Sequence, residues 1–78
     1  MNLQDFLGEA IRECEHRILV INYQLKIDEG YVISPEADPG EIPYFRCQIE
    51  LNQLELEYLQ RRLEFLKNWL ADGGATAR

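Results

Sequence analysis

The segment from Tyr44 to Ala71 carries two apolar stripes, and that doubling constrains the fold more than any other feature of the chain. Phe45, Ile49, Asn52, Leu56, Leu59, Leu63, Leu66 and Leu70 follow one another at alternating spacings of four and three, with Asn52 the single polar member. Cys47, Leu51, Leu54, Tyr58, Phe65 and Trp69 form a second series two positions out of phase. Four-three spacing is the signature of one face of an α-helix. Residues two apart differ by about 200° around the axis, so the two stripes lie on nearly opposite faces. Polar side chains, among them Glu50, Gln53, Glu57, Gln60 and Glu64, fill the strips between. One neighbouring helix covers one face and leaves the other to a second partner.

The first neighbour is encoded upstream. Leu7, Ile11, Cys14, Ile18, Ile21 and Leu25 repeat the four-three cadence and predict a helix over about 3–29. Asn2 is placed to cap its start, with Asp5 three residues on, and Gly30 stands where a left-handed terminating residue is wanted. Toward the loop end Leu19, Val20, Tyr23 and Ile27 lie off the main stripe, whereas Glu9, Glu13 and His16 hold the matching sectors nearer the N-terminus.

Between the helices, 30–43 holds three prolines and two glycines and cannot be a continuous helix. At fourteen residues it is longer than the usual 2–8 residues between packed helices. Its apolar members Tyr31, Val32, Ile33 and Ile42 are expected to fold back over the helix ends. Asp38-Pro39-x-Glu41 resembles a capped helix start, but Pro43 makes a start near Tyr44 equally acceptable. The second helix is assigned to about 44–71, and 72–78 is expected to be a flexible tail.

The architecture that follows is all-α: residues 1–71 form one domain, a long antiparallel hairpin with a Pro- and Gly-containing connector. A chain of 78 residues folding alone buries only about 60% of the surface of its unfolded form, and one such core rarely supplies more than about 3–5 kcal/mol. Pairing two hairpins through the outer stripe gives a four-helix bundle with coiled-coil-like seams. The expected interface residues are Leu51, Leu54, Tyr58, Phe65 and Trp69 of the second helix, with Val20, Tyr23 and Ile27 of the first.

Charge narrows the function. Eight Lys and Arg against fourteen Asp and Glu leave a formal charge of −6, which opposes binding to a phosphate backbone. The acidity is local: residues 1–30 carry six acids and three bases, 31–43 three acids, and 44–78 five of each. No apolar run reaches the ~20 residues that span a bilayer. The N-terminal Met-Asn-Leu-Gln-Asp lacks the basic start and apolar core of a signal peptide, so a cytoplasmic protein is expected. Cys14 and Cys47 are too few for a disulfide framework and form no Cys-x-x-Cys pair. In a hairpin folded about residue 36, facing positions sum to about 72, which separates the two sulfurs by about 16 Å along the helix, beyond disulfide reach.

Glu13 and His16 form a Glu-x-x-His pair of the kind used in metal-carrying bundles. Both lie off the buried stripe, and a solvated surface is the simpler reading of each. No nucleophile has a base beside it and no Gly-rich phosphate loop occurs, so neither enzymatic activity nor a cofactor is expected. Asn52 is either a register-setting polar residue within the seam or a point where the stripe meets water. The sequence thus reads as a small cytoplasmic interaction module, an adaptor, regulator or assembly factor that homodimerises and binds a further protein, with no nucleic-acid or membrane partner. A metal-binding bundle built on Glu13 and His16, and an acidic inhibitor that mimics nucleic acid, are the alternatives.

Overall fold

In the computed structural model, residues 2–73 are described. They form two helices, α1 (Leu3–Val32) and α2 (Ile42–Ala71), packed against each other as an antiparallel hairpin. The tail expected over 72–78 lies, from residue 74 on, outside the described residues.

α1 begins as its sequence predicts. The Asp5 amide donates to Oδ1 of Asn2 at 2.8 Å, satisfying one of the free N–H groups of the first turn. Its end differs from expectation: the helix runs through Gly30 to Val32, three residues beyond the predicted stop. Tertiary contact explains the extension. The Tyr31 ring packs on Phe45 with centroids 4.6 Å apart. Its hydroxyl donates to Glu41 Oε1 at 2.6 Å and accepts from the Asp38 amide at 3.1 Å. These anchors hold a last turn that local glycine chemistry would have released.

α2 starts two residues before the predicted Tyr44. Pro43 sits in its first turn, where no backbone donor is required, so the proline that suggested a boundary is accommodated inside the helix. Asp38 organises the turn before it: its carboxylate accepts from the Gly40 amide at 2.9 Å, and its carbonyl accepts from Glu41 at 2.9 Å. The connector is therefore 33–41. Tyr31, Val32 and Ile42 are half-buried over the helix ends as expected, but Ile33 is 82% exposed. It caps the helix and turns away from the seam. At the far end α2 closes on Gly73, whose φ of +70° is the left-handed value a glycine adopts at no steric cost.

The seam follows the first stripe of each helix. Cys14, Ile21 and Leu25 of α1 and Leu59 of α2 form the buried cluster, with Ile18, Ile49, Leu56 and Leu63 half-buried around it. Leu7 and Leu66 are buried nearer the open end. The register agrees with folding about residue 36: Cys14 Sγ donates to the Leu59 carbonyl at 3.2 Å, and Arg17 meets Glu55 at 3.1 Å. Cys14 is buried and Cys47 exposed, and both are free thiols.

The shape is a rod of 57 × 18 × 15 Å with a radius of gyration of 17.3 Å. A compact domain of this length would have a radius of about 11–12 Å. The core is therefore one helix pair thick, and each helix keeps an outer face.

Candidate interaction surface

All eight residues predicted for an interface, Leu51, Leu54, Tyr58, Phe65, Trp69, Val20, Tyr23 and Ile27, stay exposed in the single hairpin, from 36% at Trp69 to 69% at Tyr23. This follows from the helix geometry. α1 presents its first stripe to α2, so side chains half a turn away on either helix are left facing outward. Phe65 and Trp69 stack against each other one turn apart, with centroids at 5.5 Å. The Arg62 guanidinium donates to the Tyr58 hydroxyl at 3.4 Å. Phe6 and Tyr44, which the sequence reading did not single out, are more than half exposed as well. Isolated exposed apolar residues are ordinary; here they recur along most of α2, at Leu51, Leu54, Tyr58, Phe65 and Trp69.

Among the described residues, two ion pairs bridge the helices. Arg17 contacts Glu55 through both Nε at 3.1 Å and Nη2 at 3.3 Å. Lys67 Nζ lies 3.4 Å from Glu15. At this exposure each contributes little stability, about 0–1 kcal/mol, but they mark the two sides of the seam.

Among the described residues, the seam buries one charged group. Asp28 is only 3% exposed, and its Oδ1 accepts from Gln24 Nε2 at 2.9 Å. It lines a cleft of about 250 Å³ with Gln24, Tyr44, Phe45, Gln48 and Asn52. Sequence reasoning missed it, although the signal was present: Asp28 follows Leu25 by three and so occupies the next slot of the buried stripe. Asn52, half-buried on the facing helix, belongs to the same polar end of the seam. Gln48 Nε2 donates to the Tyr44 hydroxyl at 3.1 Å across the rim of the cleft.

Glu13 and His16 are both exposed. Counting about 100° per residue, they point away from α2. Among the described residues, no three His, Cys, Asp or Glu side chains stand close enough to hold a metal ion. The Cys14 thiol is buried against a backbone carbonyl, out of line with His16. No helix among the described residues is long and apolar enough to cross a membrane. No family model, curated protein or solved structure matches the chain.

Proposed function

We propose that the chain is a small protein–protein interaction module, an adaptor, regulator or assembly factor, that works as a dimer of helical hairpins. The observation that carries this reading is the outer stripe of α2, which stays exposed over most of the helix once α1 has covered the inner one. A four-helix bundle would bury that stripe and supply the second layer of core that a rod one helix pair thick lacks. Free thiols at Cys14 and Cys47 suit a reducing compartment such as the cytoplasm. The reading assigns no catalytic step and no cofactor, and the charge of −6 favours protein partners over nucleic acid.

Size-exclusion chromatography with light scattering tests the association. A mass of twice 9.2 kDa is expected at micromolar concentration. A well-folded monomer there refutes the reading. Affinity capture by the tagged dimer, followed by mass spectrometry, then identifies the further partner.

A further inference from the structure

The two ion pairs allow the outer residues to be assigned to sides of the hairpin. At about 100° per residue, Arg17 and Glu55 each stand about 70° from the seam on one flank, and Glu15 and Lys67 stand about 50–90° from it on the other. The same count places Phe6, Val20 and Ile27 of α1 on the Arg17–Glu55 flank. It also places Tyr44, Leu51, Tyr58, Phe65 and Trp69 of α2 there. The other flank carries Asn22, Lys26, Gln53, Gln60, Glu57 and Glu64, with Leu19 its main exposed apolar residue on the helices. Tyr23 and Leu54 stand opposite the seam, between the two flanks; the other exposed apolar residues of the predicted interface, separate in sequence, fall with Phe6 and Tyr44 on one side of the rod.

We propose that a second copy of this chain packs on the Arg17–Glu55 flank alone and leaves the Glu15–Lys67 flank in water. The proposal rests on the self-association argued above and specifies its surface. Area supports a second copy as the occupant. With about 150–250 Å² for a large side chain, the exposed fractions of the eight apolar residues leave about 800 Å² on this flank, the amount each partner of a standard stable interface contributes.

Charge points the same way. Between the ends of the hairpin the flank's charged groups are Glu13, Arg17, Glu55 and Arg62, two of each sign, with the acids Glu41 and Asp72 only at its two extremities, so its length can meet its own copy without net repulsion although the whole chain carries −6. Arg17 and Glu55 are already paired in two-point contact, which makes their covering less costly. The Asp28 cleft opens on this flank too. At about 250 Å³ it has room for several waters, so its amides and carboxylate remain hydrated beneath the second copy.

Leu51→Asp and Leu19→Asp, one on each flank, are compared by light scattering and sedimentation, with far-ultraviolet circular dichroism to confirm the helices. Leu51→Asp is expected to weaken the dimer at least a hundredfold, and Leu19→Asp to leave its mass and affinity unchanged. A nitroxide probe gives a readout that does not depend on a disruptive variant. In a Cys47→Ser background, a label at Arg62→Cys is expected to lose mobility as concentration rises, and one at Gln60→Cys to stay mobile throughout. Dimers insensitive to Leu51→Asp, or immobilisation at Gln60→Cys rather than Arg62→Cys, overturn the flank assignment while self-association stands. A monomeric parent overturns self-association and the flank assignment with it.

Discussion

Asp28→Leu is expected to stabilise the hairpin, although it removes a buried hydrogen bond. Asp28 sits at 3% exposure in the slot after Leu25, with Gln24 as its side-chain donor. A leucine there would continue the α1 stripe toward Phe45 and the cleft, gaining about 1.5–3 kcal/mol if fully buried. It would also remove an anion four residues from the C-terminal end of α1, where the helix dipole disfavours it, and replace a poor helix former with a good one, for a few tenths of a kcal/mol each. Against these gains stands the charged hydrogen bond, worth about 1.5–3 kcal/mol when lost outright. Gln24 is exposed and recovers a partner from water, so only part of that is forfeited.

The balance is about 1–2 kcal/mol in favour of leucine, or about 5–15 °C in thermal midpoint for a domain of this size. Circular dichroism melts of the parent, Asp28→Leu and Asp28→Asn at one concentration measure it. Asn keeps the shape and an acceptor for Gln24 while removing the charge, and is expected to fall between the other two. A leucine variant less stable than the parent would refute the reasoning, because it would mean that the carboxylate serves the folded state in a way a single donor at 2.9 Å does not account for.

Four further outcomes are expected. If folding and pairing are coupled, a tenfold rise in protein concentration adds about 1.4 kcal/mol and raises the midpoint by about 3–5 °C for a dimer of this size; melts across the micromolar range check this, and a fixed midpoint contradicts it. Ile21→Ala, at a position 2% exposed in the middle of the seam, should cost about 2–4 kcal/mol in urea unfolding and leave little folded monomer. The hydrogen bond from Tyr31 to Glu41 favours the neutral phenol and raises its pKa above the usual 10.0. The native state therefore holds that proton more tightly, and the stability it lends is present below the ordinary tyrosine range and lost as pH climbs through the raised value. Difference absorbance between the parent and Tyr31→Phe should show this late titration, moved down by Glu41→Gln. Protein purified without chelator should contain no stoichiometric iron, manganese or zinc; stoichiometric metal abolished by His16→Ala would favour the bundle built on Glu13 and His16 instead.

What the sequence disclosed and what it hid have separate physical causes. The seam was legible because four-three spacing is a property of the helix itself: Cys14, Ile21 and Leu59 are buried where the cadence puts them, and the Asn2 cap needs only its own first turn. The helix ends were less legible because they are decided elsewhere in the chain. Gly30 reads as a stop only while Tyr31 is considered without Phe45, Asp38 and Glu41, and those partners lie seven to fourteen residues away. Asp28 was hidden by a rule that is usually right, that carboxylates are rarely buried, at a place where Gln24 and a cleft lined by polar side chains let one remain.

The sidedness of the outer face was beyond single-helix reasoning altogether. Periodicity shows that Val20 and Ile27 lie off one stripe and that Leu51 and Tyr58 lie off another, but the angle between two helices is not a property of either. It takes contacts on both sides of the seam, Arg17 with Glu55 and Glu15 with Lys67, to fix how the two wheels are turned. These pairs contribute little to stability, yet they place eight of the exposed apolar residues on a single flank, with Leu19 on the other and Tyr23 and Leu54 between them. A deficit spread around the rod would favour loose association in many orientations. Concentrated on one flank beside a polar cleft, it favours one partner in one register, because a second copy set on the wrong side would cover glutamates and glutamines and leave the aromatics of α2 in water.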